Sequence, residues 1–541
     1  MTIPRSAARV LLVGALAVSL SALGAIGVGE LGARGPLPSF AEQICGLPPE
    51  WRERIVRGYY PRRSGEIQFL PRTPAYIANA GSGWSHSGPW DYLQRVPLVF
   101  YGPGRIDAGI EVLDPASIAD IAPTIGALMK GVVAGDGNAL PAVAPLTGRS
   151  LRLRVPRVIV TVVLDGAGWN VLDLYPDAWP TLKEMMEGGV SYANATVGSS
   201  PSVTPAVHTT LGTGRYPATH GITSVPLRDE AGDVVDPFYE GTSADLIEVP
   251  TVAELWDEQN ANRARVAMIG HVPWHLGMIG KGAEDPGGDR DHAAWLDHET
   301  NRWISNASFY EFPNAFAAQD DLTTRFEELD ASDGVADGLW MDVPIDDPTR
   351  IEELPAFAEH HAARLIEMMA AEGYGDDRVT DLVFTNFKQI DLLGHYFNMA
   401  SPQVRVALET GDAVLRRIID YLERDVERGD YVVIVTADHG QQPRAEAVDG
   451  YGIDPLELTA DITRAFGPVL EEWSRTELFV DVDALVDDVT LEDIARFVGD
   501  YRLRDNAPGL TRELTGAGSF GPGDRLFEMA VPAPVLEGLD C

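Results

Sequence analysis

Cysteine is nearly missing from this chain. Cys45 and Cys541 are the only two in 541 residues. That excludes a disulfide-dense scaffold, and neither residue stands in a metal-type Cys spacing or in the context of a nucleophile. In an exported chain, two cysteines fit one disulfide. Positive charge is also scarce: 42 Lys and Arg face 81 Asp and Glu, a formal net charge of −39. That argues against a nucleic-acid duplex or an anionic membrane surface as a partner held by simple charge attraction. A small anionic substrate would meet the same repulsion unless bound divalent cations reversed it locally. Internal repeats are absent. Long apolar runs are absent too, with one exception near the N-terminus. Arg5 and Arg9 precede VLLVGALAVSLSALGAIGVG, and GARGPLP follows soon after. Residues 1–30 thus read as a cleaved signal peptide or an uncleaved signal anchor. The expected location is extracellular, periplasmic or at the cell surface. Oligomeric state is left open.

The remaining composition is that of a globular protein, 45% hydrophobic and 23% charged, long enough for one large α/β domain with insertions. Short apolar runs read as buried strands in VPLVFYGPG (96–104), VIVTVVLDGAGW (158–169), DLVFTNFKQID (381–391) and YVVIVTADHG (431–440). Helical patterns at 180–189, 355–373 and 401–429 separate them. Strands alternating with helices predict a mainly parallel sheet between helical layers. Such sheets carry ligands at the carboxyl ends of their strands. GDGNALPAVAPLTG (135–148) reads as a linker. The span 225–380, rich in Trp, Asp and Gly, reads as an inserted cap.

Three of the strands end in metal-ligand residue types: Asp165 after VVL, Asp391 and His395 in FTNFKQIDLLGH, and Asp438 and His439 in VTADHG. A single Asp after a strand is usually a turn former or helix cap; three such ends are not explained that way. Mixed Asp/His ligation suits Zn²⁺ and also admits Mn²⁺ or Fe. In SSPSVTPAVHTTLGTGRYPATHG (199–221) Thr204 precedes Pro205, and Pro favours the start of a helix, so Thr204 is expected as the N-cap. A helix N-terminus attracts anions, and a metal-activated hydroxyl there is a nucleophile facing a phosphate.

VVLDGAGW, TPAVHTTLGTGRYPATHGI, DLLGH and TADHG, in that order, resemble the alkaline phosphatase superfamily. The nearest branch is the type I phosphodiesterases and nucleotide pyrophosphatases. The resemblance spans about 155–450 and implies an alkaline phosphatase-like α/β fold acting on a small phosphate ester with two divalent metal ions, best suited to Zn²⁺. It implies one metal on Asp165, Thr204, Asp438 and His439, and a second on Asp391, His395 and a late histidine. No histidine follows His439. The family's late loop, strand and helix start are instead matched upstream by SGWSHSGPWDY, VPLVFYG and ADIAPTIGALM (82–129). The resemblance therefore implies a circular permutation. Residues 31–541 would form one catalytic domain, with 31–150 as the permuted C-terminal segment carrying His86 and 151–541 carrying the rest. His86 would be the third ligand of the second metal. Permutation is tolerable where the old termini lie close, and it creates new ends at a former junction, so residues near 45 and 541 should be neighbours and a Cys45–Cys541 disulfide is expected to staple the cut.

The implied reaction is in-line displacement at phosphorus through phospho-Thr204, on a phosphodiester or pyrophosphate. A monoester is the alternative. Two departures from the family bear on this choice. HGITSVPLRD has Ser224 and Val225 where relatives often carry a phosphate-binding Asn. MIGHVPWHLGMIGKG offers His271, Trp274, His275 and Lys281 where bacterial monoesterases carry Lys-Asp-Arg. His275, Lys281 and Trp169 are the candidate substrate contacts. His208 is expected beside Thr204, by packing or by supporting a ligand. His220 is expected as a turn residue, and His360 and His361 as solvated on a surface helix. A sulfatase would need a Cys or Ser nucleophile in a C/S-x-P-x-R context, which TPAVH does not offer. A cofactor-independent mutase belongs in the cytosol. A non-catalytic, metal-stabilised surface binding protein is the reading of a different class.

Overall fold

The computed structural model describes residues 35–541 apart from 79–83, 132–134, 145–154, 240–242, 283–289, 298–299, 301, 318–322, 348–349, 487, 507–519 and 540. The apolar leader and the last four residues of the expected linker, 145–148, lie outside the described residues. No helix among the described residues is long and apolar enough to cross a membrane.

Among the described residues thirteen strands build the two larger sheets: β1 (Ile67–Pro71), β2 (Leu98–Tyr101), β3 (Ile110–Val112), β4 (Val158–Leu164), β5 (Val190–Tyr192), β6 (Val266–Ile269), β7 (His292–Asp297), β8 (Arg302–Ile304), β9 (Asp381–Phe387), β10 (Tyr431–Thr436), β11 (Leu470–Trp473), β12 (Glu477–Val480) and β13 (Phe527–Pro532). Nine of them form one sheet in the order β8-β7-β6-β9-β4-β10-β2-β5-β3. From β7 to β10 the five strands run parallel, while β8, β2 and the β2–β5 pairing are antiparallel. The core strands β4, β9 and β10 are buried at every residue, as continuous apolar runs covered on both faces must be. Helices α1 (Pro180–Gly188), α2 (Thr204–Thr213), α3 (Pro355–Glu372), α4 (Gln389–Phe397) and α5 (Pro402–Asp425) are among those that cover it. The expected α/β architecture with a mainly parallel central sheet is observed.

The four other strands form an antiparallel sheet in the order β11-β12-β1-β13 with its own apolar core. Here an N-terminal strand lies between C-terminal ones. Near it, Cys45 and Cys541 form the expected disulfide, with Cα atoms 5.6 Å apart, inside the range a disulfide can span.

Two expectations change. The span 225–380 is not simply a cap, because β6, β7 and β8 within it build one flank of the central sheet. His360 and His361 are not solvated. They are 5% and 0% exposed, and His361 Nε2 stands 3.1 Å from the Thr385 hydroxyl. The reason is that α3 packs inward on β9 and α5, so histidines on that face enter the core. His220, in contrast, is a buried turn residue as expected. Its Nδ1 accepts from the Ile222 N–H at 3.1 Å, so its Nε2–H donates to the Thr210 hydroxyl at 3.0 Å.

Candidate active site

β9, β4 and β10 are adjacent and parallel, in register through Phe387–Leu164 and Thr436–Val163. Their carboxyl ends therefore deliver Asp165, Asp391, Asp438 and His439 to one place. Helix α2 begins beside them. Thr204 is its first residue; the extended Val203 takes the cap position without a side-chain bond. The expected N-cap is thus displaced by one residue, with Pro205 at the second helical position. The Thr204 hydroxyl is left facing the site. α2 is held from behind by the turn at Pro273–Met278. A Cβ on Gly212 would meet the Gly277 carbonyl oxygen at 2.4 Å, so the two segments touch backbone to backbone.

Two groups of three ligand-type residues stand here: Asp165, Asp438 and His439, all buried, and His86, Asp391 and His395, of which the histidines are partly exposed. Within each group the ligand atoms lie within 4.8 Å of one another. His86 comes from the N-terminal loop, 305 residues before Asp391 by their numbers. Its ring stacks on His439 at 3.4 Å between centroids. The loop is pinned by the Trp84 N–H donating to the His395 carbonyl at 2.9 Å. Gln94, fully buried, adds bonds to the carbonyls of Gly88 and Ser199.

The hydrogen bonds fix which ring nitrogens are free. His86 Nδ1 lies 3.0 Å from the Ser202 carbonyl, His395 Nδ1 2.6 Å from that of Trp84, and His439 Nδ1 2.9 Å from that of Gly440. A carbonyl only accepts, so each Nδ1 carries the hydrogen and, in the neutral ring, each Nε2 presents a lone pair. His86 and His395 aim theirs at Asp391 Oδ1, at 3.4 and 3.3 Å; His439 aims its own between Asp165 Oδ1 and Asp438 Oδ2, both at 3.5 Å. Asp165 Oδ1, Asp391 Oδ1, Asp438 Oδ2 and His439 Nε2 are buried with no hydrogen-bond partner among the described residues. Acceptors converging on acceptors with no donor between them fit a cation, and backbone-oriented imidazoles are the usual support of a metal ligand.

The electrostatics show the same demand for positive charge, which in the ion-free site is met by a proton on His439. Burial disfavours charge on His439, but Asp438, Asp391 and Asp165 push it up to about 9. Against its own burial, Asp438 is held well below the carboxylate range by His439 and His208. Asp391 is likewise held down against burial by Lys388, His395 and His86. Burial, reinforced by His439, pushes His86 well below its ordinary value.

The site opens into a cavity of about 270 Å³ lined by Ser85, His86, Thr204, Ser224, Val225, Trp274, Lys388, His395 and Arg475, among others. The three expected substrate contacts are not among its lining residues. Trp169 packs edge-on against Trp179. His275 is fully buried behind α2, its Nδ1 3.0 Å from that of His208, whose Nε2 lies 3.6 Å from Asp438 Oδ2. Lys281 is half-exposed, 3.9 Å from Asp245. Their neighbour Trp274 enters the cavity instead, its indole N–H bonded to Asp236 at 2.7 Å.

Two cations were missed. Lys388 is 5% exposed, with Nζ 2.8 Å from Asp391 Oδ2, 3.2 Å from Asp165 Oδ2 and 3.3 Å from Thr204 Oγ. Its signal was present in FTNFKQIDLLGH, as a lysine three residues before Asp391 at the end of an apolar strand. Arg475 reaches in from the turn between β11 and β12, its Nε donating to Ser85 Oγ at 2.9 Å. Only the tertiary fold relates those two residues.

A profile of the family described as type I phosphodiesterase / nucleotide pyrophosphatase matches residues 159–496. The chain belongs to that family. It is accordingly a phosphoric ester hydrolase of the alkaline phosphatase superfamily, in which metal dependence is typical. Among curated proteins it is 21% identical to alkaline phosphatase PafA of Elizabethkingia meningoseptica over 436 residues, covering 70% of this chain and 78% of that protein. It is 22% identical to alkaline phosphatase PhoV of Synechococcus elongatus, over 53% of this chain and 59% of that protein. The crystal structure of wild-type PafA matches with a TM-score of 0.52 at 19% identity, over 63% of this chain and 76% of that one. At that identity the match speaks for the fold alone.

Proposed function

We propose that this chain is an exported two-metal phosphoesterase that hydrolyses phosphodiester or pyrophosphate bonds through a phospho-Thr204 intermediate. The observation that carries the reading is the pair of ligand groups, each with unshared acceptor atoms facing one another, flanking a threonine at the start of a buried helix. Asp165, Thr204, Asp438 and His439 would hold one divalent ion and His86, Asp391 and His395 the other, with Zn²⁺ the best match to the donors. Such ions supply Lewis acidity and local positive charge in an otherwise acidic protein. Thr204 Oγ attacks phosphorus, and water then displaces it. Asp165 and Asp391 keep their Oδ1 atoms directed at the ligand groups, while the three Nδ1–H bonds keep the imidazoles aimed. Export rests on the leader at 1–30.

The circular permutation belongs to the same reading. It is supported by β2 lying in the central sheet beside β10, by β1 lying between β12 and β13, by the Cys45–Cys541 disulfide and by His86 standing beside Asp391. The matched family segment begins at residue 159, so His86 falls outside it.

A phosphomonoester is the second reading. PafA and PhoV are named alkaline phosphatases, and Lys388 and Arg475 give the cavity fixed charge that would favour a dianion. The test is turnover of a chromogenic bis-phosphodiester and its monoester by metal-loaded and chelated protein. A diester preference with metal dependence is the expected result. A monoester preference selects the second reading, and no turnover of either with metals bound selects a non-catalytic binding protein.

A further inference from the structure

Lys388 belongs to neither ligand group, yet it touches both. Its ammonium has three hydrogens and three oxygen partners: Asp391 Oδ2, Asp165 Oδ2 and Thr204 Oγ. The carboxylate oxygens it takes are the outer ones. Asp391 Oδ1 remains turned to His86 and His395, and Asp165 Oδ1 to His439. Asn386 shares the outer oxygen of Asp165 at 2.9 Å. Lysine and metal therefore use different atoms of the same carboxylates and do not compete for them. Neutralising those carboxylates accounts for two of the three contacts. It does not account for the third, to the Thr204 hydroxyl, made inside the cavity that both residues line.

We propose that Lys388 is a catalytic residue that donates a charge-assisted hydrogen bond to Thr204 Oγ through both halves of the reaction. The proposal rests on the phospho-threonine reading above. In the first half the Oγ–P bond forms, the ester P–O bond breaks, and the hydroxyl proton leaves with the departing alcohol. In the second half a water oxygen bonds to phosphorus, the Oγ–P bond breaks, and one water proton returns to Oγ. Lys388 keeps all three of its protons throughout. Oγ is nucleophile in the first half and leaving group in the second. Negative charge grows on it as the Oγ–P bond breaks, and a fixed donor aimed at developing charge acts most strongly there. Loss of Lys388 should thus slow dephosphorylation more than phosphorylation. That step is common to substrates that leave the same group on phosphorus, so among them kcat should stop depending on the leaving alcohol.

The test compares metal-loaded wild type, K388M and K388R. It measures bound metal per chain, the fraction of Thr204 phosphorylated at steady state by acid quench and intact mass, and kcat for two esters differing only in their leaving alcohols. K388M is expected to keep its metal, to lose about 10²- to 10³-fold in kcat, the range seen when one such donor is removed, to accumulate phospho-Thr204 and to turn over both esters at one rate. K388R should recover part of the rate. If K388M does not fold, judged by circular dichroism, K388Q is read by the same criteria. The proposal is overturned by a kcat within about threefold of wild type, by metal loss that accounts for the lost rate, or by phospho-Thr204 that does not rise. A wild type that turns over without any phospho-Thr204 overturns the underlying reading and this one with it. Failure confined to the Lys388 variants overturns this one alone.

Discussion

The two ligand groups share a chemistry but not a construction. Asp165, Asp438 and His439 sit at the ends of adjacent parallel strands, and the His439 side chain is 0% exposed. Sheet register alone sets their spacing. In the other group only Asp391 and His395 share an element, one turn apart on α4, and the His395 side chain is 26% exposed. The third member, His86, rides on a loop held by its own bond to the Ser202 carbonyl and by the Trp84 N–H donating to the His395 carbonyl. Register gives the first group its rigidity for free; the second is assembled from distant pieces and held by backbone carbonyls. The first should therefore bind its ion more tightly and release it more slowly, since pre-organised donors lose less freedom on binding.

The largest expected effect falls between the groups. Thr204→Ala should cut turnover by about 10³-fold or more while both groups keep their metal, measured by steady-state rates beside metal analysis. Substantial residual turnover would mean that water, not Thr204, is the nucleophile. His86→Ala should weaken one ion only, by more than the roughly 10- to 100-fold typical of losing an outer-shell partner. Chelator competition resolves this, and equal weakening of both ions would erase the distinction drawn here.

Acidity separates the groups next. His439 is raised to about 9 by its carboxylate neighbours, so below that pH an incoming ion must displace a proton. Affinity at the buried group should fall by about tenfold per pH unit below 9. His86, pushed down by burial and by His439, adds no such slope to its own group. The ion-free protein should show the opposite trend. A histidine with a raised pKa contributes stability that is full below its unfolded value, near 6.5, and that fades as pH rises through about 9. Melting of chelated protein between pH 6 and 10 checks the sign. The smallest effect on turnover is expected from Cys45→Ser with Cys541→Ser. Stability should drop by about 2–4 kcal/mol, with catalysis at 25 °C nearly unchanged, as denaturant titration and rates would show.

What could be seen in the sequence follows the same division. Asp165, Asp438, His439 and Asp391 each lie within a few residues of a strand end and His395 one helical turn past Asp391, where apolar runs and β-to-helix turns are legible. His86 could be found only by counting ligands against a family pattern. The substrate-side residues were misjudged because a turn chooses among neighbours: the segment from Val272 to Met278 sends Trp274 to the cavity and His275 to the core, a choice set by its packing on α2. Arg475 had no local signature, since its partner Ser85 lies across the fold. His360 and His361 were misread because the exposed stripe of their helix runs through Glu359, Glu367 and Ala370, and the two histidines lie off it.

The strand order of the small sheet sets the timing of biosynthesis. β1 leaves the ribosome early, yet both of its neighbours, β12 and β13, come more than 400 residues later by their numbers. At about 5–20 residues per second, β1 waits for roughly twenty seconds to a minute and a half before it can pair. Through that interval the loop carrying His86 has no finished framework to dock on. The final pairing of β1 is thus a late event of chain synthesis, although the strand itself is made early.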